Sequence, residues 1–271
     1  MNSNKSKILH VWDQAGVSCV LAKYQRKMGY EVSVIKREGF DKFGIIKFYN
    51  ETSLKSPLGF LFLKTALNYA KDFDIIHVHD LFQLVPKLKE KYPNKKIILH
   101  YHGTKLRVTP PKKRNKAESL ANFVLVSTPD LLKFVKSSYL PNPVDVEHFS
   151  PRTINENNKA ISVMSNSENK ERLNFLLKKN GINQNFDALP RERKPIAYTD
   201  MPKFLSNYEY FIDLKLLCEG KPVPVFTLLG LQALSLGLKV INFEYKIVRG
   251  LPERHKPENV IKILNKIYED N

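Results

Sequence analysis

Cysteine is nearly absent from this chain: two occur in 271 residues, Cys19 and Cys218. They are far apart, and neither sits in a Cys-x-x-Cys or Cys/His ligand spacing, so a disulfide framework and a structural zinc site are excluded as readings. Long apolar runs are missing too. The most apolar stretch, Leu58 to Leu67, is interrupted by Lys64 and is too short to cross a bilayer, and the N-terminal MNSNKSK carries no apolar export segment. A reducing, cytoplasmic location is expected. Glycine is scarce where nucleotide motifs need it: the first strand-to-helix turn, WDQAGV, has the single Gly16 where a dinucleotide fingerprint has three glycines. No Gly-x4-Gly-Lys-Ser/Thr occurs, so nicotinamide, flavin and P-loop chemistry all lack support. With 42% hydrophobic and 26% charged residues and no repeats, the chain is globular, and its length fits two small domains.

Positive charge is what the chain has in excess. Lys and Arg total 44 against 27 Asp and Glu, a net +17 that attracts polyanions such as nucleic acid, an anionic membrane surface or phosphorylated ligands. Residues 1–150 hold 25 basic and 13 acidic residues, so the excess belongs mainly to the N-terminal half. Its densest stretch, Lys105 to Lys116, contains six basic residues and no acidic one, and reads as a basic loop.

Residues 7–149 alternate short β-branched runs with helical patterns, as βαβ units of a parallel sheet do. KILHVW reads as the first strand, and Val17, Val20, Leu21, Tyr24 and Met28 mark one face of the following helix. EVSVI, GIIKFY, DIIHVHD, KIILHYHG and FVLVS read as further strands. Ser56-Pro57 reads as the start of a helix over Leu58 to Ala70, and Asp80 as a cap for the helix after DIIHVHD. The prolines of YLPNPVDVEHFSPR place a domain boundary near residue 149. Beyond it come strands AISVMS, PIAY, YFIDL and KVINF, with helices over Asn169 to Lys179, from Pro202, and over Phe226 to Leu236. Val260, Ile263, Leu264 and Ile267 share one face of a closing helix over 257–269, which is free to pack back on the N-terminal domain.

The order HVHD, HYHGT, VSTPDL and LPNPVDVEHFSP, followed by LLGLQALSLGLKVINFE, resembles the retaining, nucleotide-sugar-dependent glycosyltransferases of family 4 across essentially the whole chain. The resemblance implies an α/β chain of GT-B architecture, with two Rossmann-like doubly wound parallel-sheet domains facing a cleft: 1–149 on the acceptor side, and an abbreviated 150–271 for the nucleotide sugar. It further implies transfer of a sugar from a UDP- or GDP-type donor, with retention, without a metal and without a cofactor beyond the donor itself.

Residue by residue, His102 matches the family histidine near the donor sugar and is the catalytic candidate. In the family the donor diphosphate rests on the N-terminus of the helix that begins near Thr227 and Leu228 here; unpaired N–H groups suit it. Gly16, Gln232, Lys170 and Arg172 complete the donor candidates. The two glutamates that the family carries around this helix read Pro224 and Gln232, and Glu219 is the nearest carboxylate that could substitute. On the acceptor side stand Asp13, Gln14, Lys105 and Arg107. The basic stretch from Lys105 to Lys116 suits a phosphate-bearing acceptor, lipid-linked at the inner face of a membrane, with Phe60 to Leu63 as apolar contacts. His77, His79 and His100 lie within strands and read as structural rather than as metal ligands. Two alternatives stay open: a nucleic-acid-modifying glycosyltransferase, and a catalytically degenerate GT-B nucleotide- or sugar-binding protein.

Overall fold

The computed structural model describes residues 5–154, 156–164, 170–191, 193–216 and 222–269. They form two compact units, Met1–Pro143 with Pro257–Asn271, and Val144–Lys256. The break thus falls at Pro143 rather than at 149, and the closing helix belongs to the first unit.

The first unit holds a seven-stranded sheet: β1 (Lys7–Val11), β2 (Glu31–Arg37), β3 (Thr52–Leu54), β4 (Ile75–His79), β5 (Lys96–Tyr101), β6 (Phe123–Val126) and β7 (Ser138–Tyr139). All pairs are parallel, in the order β3-β2-β1-β4-β5-β6-β7. The order reverses between β1 and β4, where doubly wound sheets open their ligand crevice. Helices α1 (Val17–Lys27), α2 (Ile45–Phe48), α3 (Gly59–Tyr69), α4 (Leu84–Lys91), α5 (Thr104–Val108) and α6 (Pro111–Leu120) connect them.

The side-chain period of two divides this sheet into unlike faces. Leu9, Val11, Ile76, Val78, Ile97 and Leu99 form an apolar core with Phe62 of α3, Leu84 and Leu88 of α4 and Ala117 of α6. The alternate positions carry His10, His77, His79 and His100, all fully buried. Register places His10 beside His77 and His79 beside His100.

The second unit contains α7 (Lys170–Lys179), α8 (Met201–Leu205), α9 (Leu228–Leu236) and a five-stranded sheet of β8 (Ala160–Met164), β9 (Phe186–Pro190), β10 (Tyr210–Ile212), β11 (Lys239–Ile241) and β12 (Ile247–Val248). Its order is β12-β11-β10-β8-β9, parallel except for β11 with β12. Counted within the unit this is 2-1-3-4-5, the other common doubly wound order, with its reversal between β8 and β10. The chain ends in α10 (Pro257–Glu269), whose Tyr268 reaches Gln25 and His77 in the first unit.

Several elements differ from expectation. GIIKFY is not a strand: Asp41 accepts the N–H groups of Ile45 and Lys47 and closes a one-turn helix, α2, leaving the third strand to Thr52–Leu54. PIAY is not a strand either, since β9 lies earlier, anchored by buried Phe186, while Tyr198 packs on His148 and Phe149. The Lys105 to Lys116 stretch is two helices, α5 and α6, with Pro111 at the first turn of the second. Ser56 donates its hydroxyl to Leu58 O instead of capping α3, and Asp80 is absent from the start of α4, where Gln83 is the N-cap.

Candidate functional site

Strained backbone collects at the carboxyl ends of β1 and β4. Trp12 (φ 77°), Ala15 (φ 58°) and Asp80 (φ 58°) are non-glycine residues in the left-handed region, the kind of local cost that persists where the surrounding structure imposes it. Gly103, just past β5, has φ 113°, a conformation that favours glycine, and a Cβ there would lie 3.0 Å from the Arg107 guanidinium, which would have to give by a few tenths of an ångström.

His102 follows β5 directly. Its backbone N–H donates to Asp80 Oδ1 at 3.0 Å, and its side chain joins the histidine face through a 2.8 Å contact from Nε2 to His79 Nδ1. Burial lowers the His102 pKa to about 3 and that of His10 to about 4, and holds His77, His79 and His100 well below the usual histidine value. All five imidazoles are therefore neutral at pH 7. Burial also raises Asp80 to about 6, against the stabilising backbone N–H of His102 and the charge of Lys105. The result at this crevice is a neutral imidazole beside a weakly acidic carboxyl group.

One nitrogen from each of His79, His100 and His102, and likewise from His10, His77 and His79, lies within 4.8 Å of its companions. Ring geometry opposes convergence on a metal, however. The His79 and His102 ring planes are nearly parallel (15°), and their facing nitrogens are 2.8 Å apart, spaced as a hydrogen bond and not as two ligands of one ion.

The remaining acceptor-side candidates fall in different environments. Asp13 is buried, and its carboxylate accepts from Gly16 N–H (2.8 Å), Ser18 N–H (3.1 Å) and the Ser18 hydroxyl (2.6 Å), with Lys36 Nζ at 3.7 Å. It caps α1 from within, and the N–H of Gly16, one of the donor-site candidates, is engaged by it. Gln14 is exposed. Lys105 is half-buried over the Phe82 ring at 5.5 Å, and burial lowers its pKa against the pull of Asp80. Arg107 is engaged by Asp130 Oδ2 through Nε (3.0 Å) and Nη2 (2.7 Å). Arg114 is buried against Glu118 and Phe134 O. The basic stretch therefore presents Lys112, Lys113 and Lys116 to solvent, and keeps two arginines for its own folding. Phe60 is exposed while Phe62 is core.

In the second unit, α9 is capped twice. Thr227 Oγ1 accepts from Gly230 N–H at 3.1 Å, the Thr227 hydroxyl donates to Asp213 Oδ1 at 2.6 Å, and Thr227 N–H donates to Asp213 Oδ2 at 2.8 Å. A carboxylate thus occupies the positive end of the helix where a diphosphate was expected. Thr227 is an N-cap, its hydroxyl already committed. Leu228 opens α9 half-exposed, and Gln232 is buried within it. Lys170 and Arg172 lie exposed at the start of α7, over the rings of Phe186 (5.6 Å) and Phe175 (5.5 Å). Glu219, like Cys218, lies outside the described residues; Pro224 is exposed.

Sequence reasoning missed Asp213, Gln25 and Tyr268, and took Asp80 for a helix cap. One signal was available: histidine at every second position in HVH and HYH, and once in KILHVW, marks a single sheet face.

Residues 17–147 match the family model described as Glycosyltransferase Family 4. No curated protein sequence matches the chain. Among solved structures, an α-glucosyltransferase in complex with UDP and a 13-mer DNA containing a central A:G mismatch is similar, with TM-score 0.56 and 12% identity over 100% of this chain and 91% of that one. An α-glucosyltransferase in complex with UDP-glucose and DNA containing an abasic site is similar at TM-score 0.56 and 12% identity, over 86% of this chain and 78% of that one. The fold is thus of the GT-B type, and the likeness to family 4 is carried by residues 17–147.

Proposed function

We propose that this protein is a glycosyltransferase that moves a sugar from a nucleotide-sugar donor to an acceptor, with retention and without a metal. The observation that carries the reading is that Asp80, with its strained backbone and raised carboxyl group, accepts the backbone N–H of the neutral His102 within the segment that matches family 4. A neutral imidazole can hydrogen-bond a sugar hydroxyl without adding positive charge against the oxocarbenium character that develops at the anomeric carbon. Negative charge on the departing diphosphate calls for cations, and Lys170 and Arg172 are the exposed ones at the start of α7. Because Asp213 already caps α9, the diphosphate is met by these side chains and by backbone beyond the cap, not by the Thr227 hydroxyl; Gln232 supports the donor site from within α9. The donor is of UDP type, by likeness to the structures described above.

The acceptor is polyanionic. Lys112, Lys113 and Lys116 stand on α6 free of the ion pairs that hold Arg107 and Arg114, and residues 1–150 have a large excess of basic residues. The DNA in the similar structures favours nucleic acid as that acceptor; a phosphate-bearing lipid at the inner membrane face meets the same charge requirement. Calorimetry with UDP, UDP-glucose, GDP and ADP, without and then with magnesium, tests the donor: saturable, magnesium-independent binding of a uridine compound is expected. Labelled-sugar transfer to duplex DNA, set against transfer to anionic vesicles containing a polyprenyl phosphate, then separates the acceptors. Binding without transfer to either would leave the degenerate module, and no nucleotide binding would end the reading.

A further inference from the structure

Five histidines, four of them fully buried and His102 partly so, form two hydrogen-bonded arms that start at one amide. His10 Nε2 lies 2.8 Å from Gln25 Oε1, which only accepts, so His10 carries its proton on Nε2 and its Nδ1 must accept. His79 Nε2, 2.9 Å from that Nδ1, therefore donates, its own Nδ1 accepts, and His102 Nε2 donates to it at 2.8 Å. His102 Nδ1 is left with its lone pair, buried and without a hydrogen-bond partner among the described residues. The second arm runs the other way. Gln25 Nε2 donates to the Tyr268 hydroxyl at 3.0 Å, which donates to His77 Nδ1 at 3.1 Å, and His77 Nε2 donates to His100 Nδ1 at 3.3 Å. That arm ends in His100 Nε2–H, also buried without a partner, on a ring 4.1 Å from that of His102.

We propose that Gln25 is a positioning residue for His102: its amide orientation fixes all five imidazoles as Nε2–H tautomers and so presents His102 Nδ1 as an acceptor beside the His100 N–H donor. Each neutral imidazole has one proton for two nitrogens, so choosing one end of a chain chooses the other. On the reading in which His102 meets a sugar hydroxyl, it does so as an acceptor of that hydroxyl's hydrogen bond, next to a donor that can serve the same oxygen.

The test needs no sugar and no turnover, so its failure is distinct from failure of the glycosyltransferase reading. Two-bond nitrogen–proton correlations of the full-length protein with 15N-labelled histidine, near pH 7.5, distinguish the protonated ring nitrogen from the lone-pair nitrogen. Five Nε2–H tautomers are expected. Gln25→Glu, whose carboxylate accepts from both His10 and Tyr268, should reverse the second arm alone, switching His77 and His100 to Nδ1–H while His10, His79 and His102 keep Nε2–H. Tyr268→Phe cuts that arm with a milder change and should leave the first arm unchanged. Nδ1–H at His102 in the unaltered protein, or no switch at His77 and His100 in Gln25→Glu, overturns the proposal. So does a shift of the His79, His100 and His102 signals on adding one equivalent of zinc, since that would make the cluster a metal site.

Discussion

Asp80 and Gly230 illustrate how single residues here trade stability for arrangement. Burial raises the Asp80 carboxyl to about 6 from an ordinary 3.8, so the folded state holds its proton more tightly than the unfolded chain does. Stability from this group is complete below pH 4 and is lost as pH rises through 6, a cost of about 2–3 kcal/mol at neutral pH. Asp80→Asn keeps an oxygen for the His102 N–H and should gain roughly that amount above pH 6 and nothing below pH 4 in denaturant unfolding. At Gly230 an added Cβ would lie 2.0 Å from Asp213 Oδ2, so Gly230→Ala must expel the carboxylate that holds both Thr227 donors. A loss of about 2–3 kcal/mol is expected in the same measurement; an unchanged midpoint would show that Asp213 does not cap α9. His102→Ala should abolish most sugar transfer while leaving nucleotide affinity within a factor of about two, and retained transfer would remove His102 from the chemistry.

At the scale of elements, the histidine face shared by β1, β4 and β5 makes the first unit sensitive to acid. Its imidazoles are depressed when folded, so they contribute stability that is present above the unfolded value of 6.5 and is lost as pH falls toward about 4 for His10 and about 3 for His102. For His10 and His102 this costs roughly 1–2 kcal/mol each by pH 5.5, and His77, His79 and His100, also held below the usual histidine value, act in the same direction. The single tryptophan, Trp12, directly follows β1, and its fluorescence should report cooperative unfolding on acidification below pH 6 with uptake of protons. Emission that stays native down to pH 4 would contradict burial of neutral histidines here. The helix starts teach a related lesson. Thr227 and Gly16 were legible as helix-start residues from local pattern, but the carboxylates that occupy those starts, Asp213 and Asp13, were not assigned there. Asp213 lies fourteen residues from Thr227 and ends a different strand, a pairing that no local spacing encodes.

For the molecule as a whole, charge is the property that composition reports directly, and its use is what the fold decides. Six basic residues between Lys105 and Lys116 look alike in the sequence, yet Asp130 engages Arg107, and Glu118 with Phe134 O engages Arg114. Binding of duplex DNA should weaken with salt, and changing Lys112, Lys113 and Lys116 together to Ala should lower the slope of log Kobs against log salt by about 2–3. An unchanged slope would place the polyanion elsewhere.

The alternation of strands and helices, the doubly wound α/β fold and the likeness to family 4 followed from the sequence alone, because hydrophobic period and turn residues act over a few positions. The errors at GIIKFY and PIAY arose where a short apolar run fits a helical turn or a packed loop as well as a strand, and the choice fell to Asp41 and to Phe186. Only the tertiary structure decided that the closing helix completes the first unit, that Tyr268 meets Gln25 across 243 residues of chain, and that five histidines share one buried network. Buried polar groups must find partners wherever the chain brings them. Their identity is set by packing in space, and sequence distance carries no information about it.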